Sequence, residues 1–168
     1  MASTTRTVMK ATTAVPLLYR VLLQYIEPLF TLGGIALVLM KPEQYLQTMT
    51  RGTVALARSS DWLMTELAGG WMHFAFTEVV VLRLIDDLRV WKLLCIGMLL
   101  SDLAYTYSLV QAVGGWAEWV QLSHWTSDDW MATILTLPFV LTRVAILAEV
   151  GLKTTHKIDV KQTMSFTQ

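Results

Sequence analysis

The chain is poor in the groups that most often give a fold covalent support or a charged partner. It has one cysteine, Cys95, so no internal disulfide can form. Cys95 lies in an apolar run and reads as a small core hydrophobe. Asparagine is absent, which removes any N-linked glycosylation acceptor. Charged residues make up 15% of the chain, well below the roughly 25% of soluble domains. Lys and Arg number 13, and Asp and Glu also 13, with no basic run or stripe. Nucleic-acid binding therefore has no electrostatic footing. The first sixteen residues carry no apolar h-region, which argues against a cleaved signal peptide. We expect the segment after them to act as an uncleaved signal anchor. No internal repeat is present.

Hydrophobic residues are abundant, 54% of the 168, with seven Trp among them. They gather in four long stretches, which predict transmembrane helices over about 17–40, 62–84, 91–113 and 130–152. Each is long enough for a tilted helix across a hydrocarbon core of roughly 30 Å. The expected fold is all-α, a polytopic membrane protein built as a four-helix transmembrane bundle in one domain, with a polar tail at 153–168. Pro28 predicts a kink in the first span. Gly33-Gly34 and Gly69-Gly70 predict close helix approaches. EQYLQTM, in the first linker, predicts a short interfacial helix. The turn at 85–90, IDDLRV, makes the second and third spans an antiparallel hairpin.

With four spans, both termini and that turn share one side. Arg6, Lys10, Arg20, Arg83, Arg89, Lys92, Lys153, Lys157 and Lys161 fall there, against Lys41, Arg51 and Arg58 opposite. The positive-inside rule puts the termini in the cytosol. Trp62, Trp116, Trp119 and Trp130 gather at the far boundary, as an interfacial belt does.

Each span carries an ionisable residue near its middle: Glu27, His73, Asp102 and Arg143. Such a group facing lipid costs roughly 2.5–3.5 kcal/mol on insertion scales, so the four are expected to face one another. Two acids, an imidazole and a guanidinium can transfer protons or hold a lipophilic substrate, and they are the catalytic candidates. Glu66 shares a helical face with His73, seven residues away, whereas Glu78 does not. Glu66, Glu78, Tyr25 and Tyr105 are candidates for substrate contact, Tyr105 lying three residues beyond Asp102. At the cytosolic turn, Asp86 or Asp87 is expected to cap the third helix, with Arg83 or Arg89 as ion-pair partners. A purely structural charge-paired core is the competing account of the midspan set. The three histidines fall on a span, the outer loop and the tail and cannot converge, so neither metal nor cofactor is expected.

Four segments carry a resemblance: PLLYRVLLQYIEPLF, VLRLIDDLRVW, SDLAYTYS and the DDW that opens the fourth span. Together they resemble a family of small fungal four-span membrane proteins of uncharacterised domain, several encoded in secondary-metabolite gene clusters. The likeness runs from Pro16 to Ala148. It rests on Tyr25, Glu27 and Pro28, and on Leu82, Arg83 and Asp87 to Trp91. It implies an endomembrane protein of specialised metabolism, in the endoplasmic reticulum or a related compartment. Its partners would be the lipid bilayer, a lipophilic small molecule and other membrane-bound pathway enzymes. An acid–base isomerase or cyclase of a polyketide or terpenoid intermediate fits both readings. A non-catalytic scaffold and a lipophilic-metabolite carrier are the alternatives.

Overall fold

The computed structural model describes residues 9–153. The polar tail from 154 onward, including His156, and the first eight residues lie outside the described part. All regular structure among the described residues is helical. A short α1 (Ala11–Ala14) precedes the long α2 (Leu17–Met40). A short α3 (Pro42–Met49) follows, then a continuous helix α4 over 61–84. The remaining helices are α5 (Leu88–Ala112), the single turn α6 (Trp116–Trp119) and α7 (Ser127–Leu147).

Three helices, Leu17–Met40, Leu88–Ala112 and Ser127–Leu147, are long and apolar enough to cross a membrane. The expected second span is present as the helix 61–84 but is not one of the three. Asp61, Glu66, Glu78 and Arg83 dilute its hydropathy. The third and fourth helices start three residues earlier than expected, because polar caps reach further than apolar patterning. Asp87 caps α5 by accepting the Arg89 N–H at 2.8 Å. Thr126 and Asp129 form a capping box on α7, each side chain accepting the other's backbone N–H. The short helix expected in the first linker is present as α3.

Helices α2 and α4 pack along each other, and α5 packs on α7. The glycine pairs divide. A Cβ on Gly34 would lie 2.7 Å from the Trp71 ring, so this glycine is where α4 comes closest. Gly33, Gly69 and Gly70 have open space beside them and mark no such contact.

Two helices carry a π-turn, over Leu22–Ile26 in α2 and Thr77–Val81 in α4. The first has a clear cause. Pro28 has no N–H and its ring crowds the preceding turn, so the helix widens before it rather than breaking. The carbonyl of Gln24, four residues before the proline, accepts from Arg83 Nη2 at 2.7 Å instead. The Gln24 side chain returns the contact, donating to the Leu82 carbonyl at 3.1 Å. The two widened turns are thus tied to each other.

At the same end of the bundle, residues 9–15 fold back as a plug. Ala11, Ala14 and Val15 are buried against Leu23, Leu82, Leu88 and Trp91. Leu88 N–H donates to Met9 O, and Lys153 N–H to Ala14 O. Asp86 accepts from the Thr12 N–H and hydroxyl, both at 2.8 Å. The Thr12 N–H, above all, holds the Asp86 carboxyl below its ordinary range.

Two outcomes follow from this packing. Gly34→Ala should lower the melting temperature in detergent, with an overpacking cost of about 1–3 kcal/mol, whereas Gly33→Ala should not. Because the folded Asp86 pKa is depressed, its contribution is complete above the ordinary value of 3.8 and is lost as pH falls through the folded value. Amide exchange at residues 9–15 should therefore rise in strong acid, and Asp86→Ala should raise it at neutral pH. An unchanged exchange rate in both cases would rule out the Asp86 bridge.

Candidate functional site

The widened turns place two acids. Glu27 directly follows the π-turn of α2, and Glu78 is the second residue of the one in α4. π-turns inside α-helices often mark functional sites. Both acids are buried and both reach the same nitrogen. Arg143 Nη2 lies 2.6 Å from Glu27 Oε1 and 3.0 Å from Glu78 Oε1. Its Nη1 donates to Asp102 Oδ2 at 2.8 Å. Four long helices thus meet through one guanidinium. The side chains of Arg143 and Glu78 are 0% exposed, those of Glu27 and Asp102 8% and 12%. The Arg143 Cζ also sits 5.0 Å from the centre of the Phe74 ring. Glu27 Oε2, Glu78 Oε2 and Arg143 Nε are buried with no partner among the described residues.

Three of the four expected midspan residues come together. The fourth, His73, does not: it is exposed on the outside of α4, as is Glu66. Glu78 takes its place. The reason is helical phase. Met64, Ala68, Trp71, Ala75 and Glu78 recur at three- and four-residue spacing, and all five are buried or half-buried. His73 falls between members of that seam. Depth along the span singled out His73, whereas the seam, legible in the sequence, leads to Glu78.

Beside the cluster lies a cavity of about 520 Å³. Glu27 and Asp102 form its polar floor, and Arg143, Glu78 and His73 are not part of its lining. Phe30, Trp71, Phe74, Tyr105 and Phe139 supply aromatic walls. The cavity extends to α3 and the start of α7, where Tyr45, Met49, Asp128 and Asp129 line it. Tyr45 and Tyr105 meet the Trp71 ring edge-on, with centroids 5.7 and 6.5 Å away. The Tyr105 hydroxyl donates weakly to Met49 Sδ at 3.9 Å. Burial, with Tyr105 nearby, pushes the Tyr45 phenol above its ordinary value, so it stays a neutral donor.

A buried ion pair fastens α3 at this end. Arg51 Nε donates to Asp129 Oδ2 at 2.9 Å. Arg51 has a left-handed backbone, φ 52°, just past α3, a conformation that costs a non-glycine residue about 1–2 kcal/mol.

The remaining candidates lie elsewhere. Tyr25 is exposed, with the Arg83 guanidinium 4.3 Å from its ring centre. Arg83 serves the Gln24 carbonyl rather than an acid. Asp86 binds Thr12 and Asp87 caps α5, so neither pairs with Arg83 or Arg89. Among the described residues, no group of three or more His, Cys, Asp or Glu has the arrangement of a metal site.

The chain belongs to a family described as Domain of unknown function (DUF7704), whose model matches residues 12–153. No curated protein and no solved structure matches it.

Removing the guanidinium alone strands three buried carboxyls, and breaking a buried pair from one side costs about 3–5 kcal/mol. Arg143→Met should therefore be strongly destabilised in detergent unfolding. Adding Glu78→Gln should cost less than the sum of the two single changes, because the residues act as one unit. Strict additivity would mean that the cluster is not coupled.

Proposed function

We propose that this protein is a membrane-embedded acid–base catalyst that isomerises or cyclises a lipophilic substrate. The observation that carries the reading is that Glu27 and Asp102 belong both to the ion-paired cluster and to the floor of the aromatic cavity. A cluster of three carboxyls and one guanidinium is neutral when two carboxyls keep their protons, so it serves as a proton store away from water. Glu27, which lines the cavity, delivers a proton to a double bond of the substrate. Asp102 removes a proton from a neighbouring carbon. One proton is gained and one lost, so the product is an isomer and no co-reactant is consumed. Arg143 acts through the two acids, holding them in place and taking up charge as the proton moves. His73, exposed on the outside of α4, has no part in this scheme.

The same reading includes a fourth span. Helix 61–84 lies along α2 and contributes Glu78 to the shared cluster, so both helices occupy the same depth. Its Glu78 points inward, as the cost of lipid exposure demands of a carboxyl, while Glu66 and His73 lie on the outer face. The clustering of basic residues supports cytosolic termini, and an endomembrane of a specialised-metabolism pathway is the setting that the family resemblance suggests.

The test uses purified protein in nanodiscs with a lipophilic extract from a strain lacking this gene. Wild type should convert one component to an isomer of unchanged mass. Glu27→Gln and Asp102→Asn should each slow this by roughly 100-fold or more, the usual share of one general acid or base. Full activity in both variants would overturn the reading. So would a pathway that runs normally in cells carrying both changes, the result expected of a scaffold. Relocation of an unaltered metabolite would instead identify a carrier.

A further inference from the structure

The cavity has a charge character that restricts what can enter it. Its lining includes four carboxyl residues, Glu27 and Asp102 at the floor and Asp128 and Asp129 at the far end. No Lys, Arg or His lines it. The two guanidiniums nearby are turned to other work: Arg143 is closed behind Glu27, Glu78 and Asp102, and Arg51 is paired with Asp129. Asp128 is exposed and in no ion pair among the described residues. At the floor, Glu27 is 6% exposed and keeps a partnerless Oε2. The polar groups on offer are therefore acceptors and hydroxyls, and the walls are aromatic faces. Asp128 and Phe139 stand eleven residues apart on α7, about 16 Å along its axis, so the space is elongated.

We infer that the cavity takes an elongated lipophile that is neutral or cationic, bearing a hydroxyl or amine at the end beside Asp128, and that it rejects carboxylates and phosphates. An anion entering there meets the Asp128 carboxylate, which is in no ion pair among the described residues, and finds no Lys, Arg or His in the lining to compensate it. A hydroxyl or ammonium finds acceptors at the Asp128 end. Aromatic faces tolerate positive charge through their quadrupoles, which suits the cationic carbon formed when a double bond is protonated. The inference rests on the proposed catalysis only for that last point; the selectivity stands on the lining itself.

Equilibrium binding of tritiated dodecanol, dodecylamine and dodecanoate to the detergent-solubilised protein separates the possibilities. The alcohol and the amine should bind at least ten-fold more tightly than the carboxylate. Asp128→Lys, at an exposed position, should shrink or invert that preference. Ala132→Phe, which fills the cavity, should abolish binding of all three, and Thr136→Leu should weaken it if the bulkier change prevents folding. Equal or tighter binding of dodecanoate by the wild type would overturn the inference. So would a preference that survives both Asp128→Lys and the filled cavity, which is simple partitioning. Selective binding by a protein that isomerises nothing in the nanodisc assay would refute the catalytic reading and leave this one intact, and isomerisation of a carboxylate-bearing component of the extract would do the reverse.

Discussion

One guanidinium holds the bundle together. Arg143 gathers acids from three other helices, at 2.6, 2.8 and 3.0 Å, around a fully buried guanidinium. Each partner is expensive to bury alone, so the helices must close in the one arrangement that brings all four together. The surrounding features serve that requirement. The π-turns set the phase at which Glu27 and Glu78 face inward. The Gln24–Arg83–Leu82 exchange locks those turns side by side. Gly34 lets α4 lie close enough for its glutamate to reach.

Three acids on one base is an unequal bargain, and that inequality distinguishes this core from a plain salt bridge. A one-to-one pair is satisfied and inert. Here the excess carboxyl capacity sits next to an aromatic cavity, with Glu27 and Asp102 shared between the two. Structural and chemical accounts of the cluster are therefore less opposed than they look. The fixed geometry that keeps the helices in register also keeps Glu27 and Asp102 at set positions on the cavity lining.

Much of the architecture was readable from residue order. Helix positions followed from apolar runs, and α2 has the bounds that patterning predicted. Apolar runs alone place the starts of α5 and α7 three residues late; the expected aspartate cap, which is Asp87, gives the start of α5, while the Thr126–Asp129 box on α7 involves polar residues that a hydropathy pattern excludes. Glu27, Asp102 and Arg143 were legible as midspan charges. Glu78 is legible as a charge off the His73 face, but its place in the cluster depends on the seam of Met64, Ala68, Trp71 and Ala75 that leads to it rather than on its depth. Gly69 and Gly70 misled for a related reason: glycine permits close packing but does not say which face the neighbour takes. The link between Pro28 and Arg83 was beyond reach, because a carbonyl orphaned in one helix names no donor in another. The cavity too needed three dimensions, its lining being drawn from α2, α3, α4, α5 and α7 at once.

The plug formed by residues 9–15 also bears on the order of assembly. Its hydrogen bonds go to Asp86, to Leu88 and to Lys153. The last of those anchors lies most of the chain away from the plug and follows the final long helix. During synthesis residues 9–15 are made before all of these anchors and have no complete docking site until the last long helix has been made. The hydrogen bonds of residues 9–15 can therefore be complete only on a finished bundle.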